Sequence, residues 1–328
     1  MSETLSHDLE GSGAPPSPGR PAGLLARLTI YQRERFPLLR TAALVLVFSA
    51  ASVSVSAHLA GRPAPGWPAY MGAFAATLIL FWHLRVLDEV KDADDDRRYR
   101  PERPIPRGLV SLRLIVSLGF ATVPLAVLAA ALVDWRLVLL LAAVWGWMAL
   151  MTAEFFAPAW LKARPFAYMV THMAVMPLID LLVTGFEWLP HGGAAPALGL
   201  FLALSFANGC VLEIGRKLWA PAHERAGVDS YSRVLGPRRG AWVWMACVGV
   251  AFALLMAVGF ATRTPWLTGA MGIGALAGAW KVGLLYARAP SPATEARVDG
   301  AAGLWVATCY AAAGYAPFIA HWWERWVG

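Results

Sequence analysis

Charge is what this chain has least of: only 15% of its 328 residues are Asp, Glu, Lys or Arg, where a soluble domain carries about 25% to cover its surface. That shortage excludes an ordinary water-soluble globule. The 58% apolar content and mean hydropathy of +0.52 call for lipid as the solvent. Cysteine is also scarce. Cys210, Cys247 and Cys309 each sit in an apolar stretch with no close pair among them, which excludes a disulfide framework and a cysteine metal knuckle. The chain does not open on an apolar run either. Residues 1–23 are polar and rich in Gly and Pro and read as a disordered tail. The first long apolar run begins near Thr41, too late and too long for a cleavable signal. Short alternating segments are missing, which excludes a membrane β-barrel.

What remains is a series of long runs that are apolar all round. They fall at 41–59, 68–87, 114–133, 137–156, 165–183, 197–212, 241–260, 267–285 and 300–322, each about the 20 residues that a helix needs to span a bilayer. The expected fold is all-α: a polytopic membrane helical bundle of about nine transmembrane helices, forming one domain over 24–328 behind the tail. Residues 24–40 mix Leu25 and Leu28 with Arg33 and Arg35, the pattern of a helix lying on a membrane surface. With the N-terminus inside, 23 of the 28 Lys and Arg residues fall on one face. The positive-inside rule then puts the N-terminus and the long polar loops in the cytoplasm, with the chain in the inner membrane. The same rule accounts for the net charge of +7 without a nucleic-acid partner.

The richest segment runs from Leu84 to Ser111, LRVLDEVKDADDDRRYRPERPIPRGLVS. Asp88, Asp92 and Asp96 recur every four residues, so on a continuing helix they form one acidic stripe with Glu89 beside it. Stacked carboxylates repel one another unless a hard cation sits among them, and Mg²⁺ is held by one or two carboxylates plus substrate phosphates. The alternative is a solvated loop neutralised by Lys91, Arg97, Arg98 and Arg100. Against it, the stripe starts directly where an apolar span ends, and ionisable groups at that depth are functional by default.

This segment resembles the first aspartate-rich motif of the UbiA superfamily of intramembrane prenyltransferases, Asn-Asp-x-x-Asp-x-x-x-Asp followed by Arg-Pro-(Leu/Ile)-Pro-x-Gly. Asp88 stands at the family's Asn and Glu89 at its first Asp, while Asp92 and Asp96 match directly. Arg103, Pro104, Ile105, Pro106, Arg107 and Gly108 follow in register, and Ser111 fits. The nine runs equal the family's helix count. The resemblance implies that Asp92 and Asp96 hold Mg²⁺, assisted by Asp88 and Glu89, and that Arg103 and Arg107 contact a diphosphate or simply neutralise the loop. Trp160, Leu161, Lys162, Ala163 and Arg164 resemble the family's phosphate-gripping Lys-Arg loop, against the alternative of a plain basic inner loop.

The second motif departs from the pattern. The family has another Asp-x-x-Asp-x-x-x-Asp at the end of the sixth span, but this chain reads VLEIGRKLWAPAHERAGVDSYSRVLG from Val211 to Gly236. Glu213 is the one acid at the span's end, followed by Arg216 and Lys217 and later by Glu224 and Asp229. Either the acids rebuild a metal site, or Arg216 and Lys217 grip phosphate directly. Asp180, in mid-span, is expected to face the substrate chamber or to pair with a neighbour such as His172. The Trp residues are expected mainly as interface anchors.

The implied activity is transfer of a polyprenyl group from its diphosphate to an acceptor such as an aromatic ring, with Mg²⁺ and membrane lipid as the expected companions. Two other readings stay open. One is a transferase on the same fold that moves phosphoribosyl or another phosphate-linked group to a lipid phosphate. The other is a non-catalytic membrane protein or cation transporter. Against a transporter, the acids lie at one face, whereas ion paths place charge near the midplane.

Overall fold

Proline and glycine set where the helices start and stop. The computed structural model describes residues 23–224 and 230–327, and among these the regular elements are helices joined by short turns. Asp229 and the tail before Gly23 lie outside the described residues. In chain order the helices are α1 (Leu24–Arg35), α2 (Leu38–Leu59), α3 (Trp67–Lys91), α4 (Ala93–Tyr99), α5 (Leu112–Ala131), α6 (Leu137–Thr152) and α7 (Pro158–Lys162). Then come α8 (Pro165–Met173), α9 (Val175–Trp188), α10 (Leu198–Gly215), α11 (Tyr231–Leu235), α12 (Pro237–Ala261), α13 (Pro265–Arg288) and α14 (Pro292–Val327). Proline sits in the first turn of α3, α8, α12 and α13, where its missing N–H has no helical partner to lose. Pro177 acts differently. Its ring cannot follow the carbonyl of Met173, and the chain breaks there into α8 and α9.

Eight helices among the described residues are long and apolar enough to cross a membrane: α2, α3, α5, the bent α8–α9, α10, α12, α13 and most of α14. The chain is an integral membrane protein. The expected count of about nine is met by these eight plus α6, a shorter apolar helix of 16 residues. At about 1.5 Å per residue α6 reaches ~24 Å, less than the ~30 Å hydrocarbon layer. The run expected to continue to Phe156 is cut short because Glu154, Phe155 and Phe156 turn left-handed, at φ 48°, 51° and 57°. Such a conformation costs an L residue about 1–2 kcal/mol.

Neighbouring helices close a ring: α2, α3, α5, α6, α9, α10, α12, α13, α14 and back to α2, with α2 against α9 and α10 against α14 across it. One contiguous apolar core fills this ring. Close approach depends on small residues, as expected where lipid offers no competing hydrophobic drive. A Cβ on Gly314 would lie 2.5 Å from Ala51 Cα, so α14 meets α2 only because that side chain is missing.

Several buried polar groups are paired across helices. Asp180 is fully buried, accepting from Ser52 Oγ at 2.7 Å and Tyr310 Oη at 2.5 Å. Asp180 is thus paired with neighbours on α2 and α14, while His172, the partner suggested for it, bonds Lys91 and the Tyr168 carbonyl. Glu187 is held likewise by Ser56 at 2.6 Å and Arg62 at 2.8 Å. Not all tryptophans are interface anchors either. Trp244 and Trp305 are fully buried, and their indole N–H groups donate to Val211 O and Asn208 Oδ1, both at 3.1 Å.

Candidate active site

Local hydrogen bonding builds the acidic stripe. Asp92 N donates to Asp88 O at 2.9 Å and Asp96 N to Asp92 O at 2.8 Å, so the helical rise continues through the junction of α3 and α4. The loop beyond is equally determined by its residues. Arg107 N returns to Arg103 O, Leu109 N to Pro104 O, Gly108 takes φ 77°, and Ser111 Oγ caps α5 by accepting from Leu114 N at 3.2 Å. Only glycine adopts that φ freely, which explains the spacing of Pro, Gly and Ser in the motif.

The four acids of the first motif do not share one environment. Asp88 is 56% exposed with Arg85 at 3.5 Å. Among the described residues Asp92 has no ion pair, and burial, followed by the charges of Asp88 and Asp96, pushes its carboxyl above the usual range against Lys91 and Arg100. Asp96 is buried and taken by Arg103, whose Nη1 reaches both carboxylate oxygens at 2.7 and 2.6 Å, with Arg100 at 3.3 Å. Glu89 is 3% exposed and faces α1, accepting from Arg35 Nε at 2.6 Å and Tyr31 Oη at 3.4 Å. Glu89, implied by the resemblance to assist the metal, is in this structure paired with α1. Arg107 likewise ties α1 down through Glu34 at 2.8 Å and makes no contact with the stripe.

The second motif lies across from the first. Glu213, 2% exposed at the end of α10, is gripped by Arg216, with Nε at 2.7 Å, and by Lys217 Nζ at 2.7 Å. Arg216 is within electrostatic reach of Asp88, so one acid of the first motif and one cation of the second feel each other's charge. Between them stands Tyr168 on α8. Lys91 Nζ is 4.9 Å and Lys217 Nζ 5.6 Å from its ring centroid, and His172 stacks on it at 3.8 Å. Lys91 also contacts Tyr168 Oη at 2.7 Å, His172 Nε2 at 3.1 Å and Glu154 at 2.9 Å. Sequence reasoning missed this hub. Tyr168 and His172 lie four apart just after Pro165, an aromatic pair on one helix face beside a motif, and that spacing was the available signal.

Two cavities open here. A narrow crevice of about 30 Å³ runs from Asp88 and Lys91 down between α3 and α6, lined by Leu84, Leu87, Met148 and Met151. A larger polar one, about 460 Å³, lies between the two motif loops, with Arg100, Arg103, Trp219, His223 and Glu295 on its walls. Lys162 and Arg164 are exposed on the α7 loop, where Arg164 stacks on Trp160 at 4.7 Å; neither joins the cluster. Glu224 is satisfied by Ser230 and Ser232 at 2.7 Å, so it braces the foot of α11 and is not free for a ligand.

The donor set suits a hard cation. Among the described residues no three His, Cys, Asp or Glu side chains already converge as a metal cage. Magnesium does not require one, because one or two carboxylates with substrate phosphates and water complete its shell. Asp88 and Asp92, one helical turn apart and mutually repelling, could form such a pair: Asp88 has only the 3.5 Å pairing to Arg85, and Asp92 has no ion pair among the described residues.

Sequence and fold comparisons bear on the family and on the fold. A family model described as the UbiA prenyltransferase family matches residues 45–306. A solved structure from work on digeranylgeranylglyceryl phosphate synthase in membranes superposes with a TM-score of 0.61 at 12% identity, covering 90% of this chain and 99% of that one. The apo structure of a UbiA homologue from Aeropyrum pernix K1 superposes with a TM-score of 0.62 at 19% identity, covering 84% and 98%. At these identities the likeness is one of fold. No curated protein matches the sequence significantly.

Proposed function

Because the chain belongs to the UbiA prenyltransferase family, we propose that it is a Mg²⁺-dependent membrane prenyltransferase, moving a polyprenyl group from a prenyl diphosphate to an acceptor such as an aromatic ring. The observation that supports this reading is the gathering of Lys91 and Lys217 over the Tyr168 ring, beside the carboxylates of Asp88 and Asp92 that flank Lys91 along the chain, with Arg216 near enough to Asp88 to feel its charge, at one end of a largely apolar bundle. Asp88 and Asp92 would hold the ion, which when bound neutralises charge growing on the leaving diphosphate. Arg216 and Lys217 sit opposite as further counter-charges to the same group. Arg103 holds Asp96 in reserve, and Lys162 and Arg164 guard the outer approach as phosphate-attracting charges. Leu84, Leu87, Met148 and Met151 give the allylic end of the donor a dry wall, keeping water from the carbocation until the acceptor attacks. The excess of basic residues at this end supports a cytoplasmic orientation for the site.

The test uses the purified full chain with Mg²⁺ and a series of prenyl diphosphates of increasing length, read as pyrophosphate release. Release is expected from at least one donor, stopped by chelation and by Asp92→Asn. No release from any of them sinks the proposal. The basic second motif favours one competing donor class, sugar diphosphates. Displacement of a bound prenyl diphosphate analogue by phosphoribosyl pyrophosphate would point to that class.

A further inference from the structure

Lys91 belongs to neither set of motif residues, yet its ammonium is the most heavily engaged cation at the site. An ammonium has three N–H donors. Here they meet Tyr168 Oη at 2.7 Å, His172 Nε2 at 3.1 Å and a Glu154 carboxylate oxygen at 2.9 Å. The first two acceptors are neutral, stacked on each other and carried on α8. The third is an anion on a different footing. Glu154 opens the left-handed turn Glu154–Phe155–Phe156, three consecutive non-glycine residues at positive φ, and such strain persists only where something holds it. Phe155 is the turn's other anchor, with edge contacts to Trp147 at 5.3 Å and His172 at 5.9 Å.

We propose that Lys91 is a seat for a phosphate oxygen of the diphosphate donor, and that Glu154 fills that seat as an internal stand-in until the donor displaces it. The inference rests on the diphosphate-transfer reading above and adds one binding residue and one latch to it. Lys91 lines the same crevice as Asp88 and immediately precedes Asp92, so an anion gathered by those carboxylates through a cation arrives beside it. Exchange needs no repacking of α8, because a phosphate oxygen takes over one N–H donor while Tyr168 and His172 keep theirs. The ion pair is open to solvent on one side, with side chains 17% and 25% exposed, and pairs of that kind hold weakly. Once Glu154 leaves, the turn is free to relax, and Phe155 loses its reason to stay against His172.

The experiment is binding of inorganic pyrophosphate with Mg²⁺ to the purified full chain, comparing wild type, E154Q, K91M, the E154Q/K91M double variant and D92N. Removing the competing carboxylate should tighten binding by ~5–10-fold in E154Q, and that gain should vanish when Lys91 is also replaced. Unchanged or weaker binding in E154Q overturns the proposal, as does the same gain in the double variant. A second readout is hydrogen exchange over residues 153–157 of the wild type, which covers a failure of K91M to fold. Pyrophosphate with Mg²⁺ should speed exchange there, and unchanged exchange counts against the latch. Failure of the parent reading looks different: wild type would then bind no pyrophosphate in a Mg²⁺-dependent, Asp92-dependent way.

Discussion

Replacing Arg35 by Met should undock α1 from the first motif, and the structure sets the size of the effect. Glu89 is 3% exposed, and among the described residues its one ion-pair partner is Arg35 at 2.6 Å, with the Tyr31 hydroxyl more distant at 3.4 Å. Burial and the Glu89 charge both push the Tyr31 phenol up, so it stays a neutral donor and cannot substitute for the guanidinium. Breaking a buried pair by removing one member costs about 3–5 kcal/mol, because the other charge is stranded. Arg35 is itself 13% exposed, so water reaches one side of the pair and the lower figure, about 3 kcal/mol, applies. The other ion pair of α1, Arg107 to Glu34, is more than a third exposed at both ends and contributes at most about 1 kcal/mol, while the apolar packing of Tyr31 and Leu28 is unchanged by the substitution. Undocking should therefore become roughly a hundredfold more populated. The assay is hydrogen exchange with mass spectrometry on α1, in detergent. Arg35→Met should speed exchange of its amides by about two orders of magnitude, and adding Glu89→Met should restore most of the protection, since an apolar pair leaves no stranded charge. The double variant should also keep Mg²⁺-dependent pyrophosphate binding if Glu89 is a brace and not a metal ligand. A double variant as loose as Arg35→Met alone would refute the stranded-charge argument.

Two further outcomes follow from the buried network and the left-handed turn. Tyr310→Phe removes the 2.5 Å hydrogen bond to Asp180 and should lower stability by about 1–2 kcal/mol in detergent unfolding, while the folded fraction keeps full pyrophosphate release; a folded but inactive variant would return Asp180 to the substrate site. Phe156→Gly places glycine at φ 57° on a side chain that is 82% exposed, so relief of strain should raise stability by about 0.5–1 kcal/mol, and a clear loss in the melting midpoint would mean that the turn is unstrained.

What could be read from the sequence was whatever is local along it. The helix count, the acidic stripe, and the Pro-Ile-Pro-Arg-Gly loop with its Ser111 cap all depend on residues within a turn or two of one another, and the structure places them accordingly. The expectations that changed involve partners far apart in the chain. Glu89 finds Arg35 54 positions earlier, and Asp180 finds Ser52 128 earlier and Tyr310 130 later. Nothing in the spacing of either acid points to those donors. Which tryptophans are the exceptions was not legible for a related reason: when a helix is apolar all round, the pattern does not say which side faces lipid and which faces protein, so Trp244 and Trp305 in the core looked like Trp322 at an end.

Glu154 is the most instructive case, because its signal is present in the sequence inside the run 137–156. An acid two residues past the end of α6, inside what looked like a continuous apolar span, violates the pattern of the run it sits in, and such violations mark either a boundary or a site. Here it marks both. The helix stops because the chain turns left-handed, and that turn puts the carboxylate on Lys91 next to the acidic stripe. The short sixth helix and the occupied lysine therefore share one cause. A chain with a regular full-length span at this position would carry residue 154 along the helix axis and leave Lys91 one partner short.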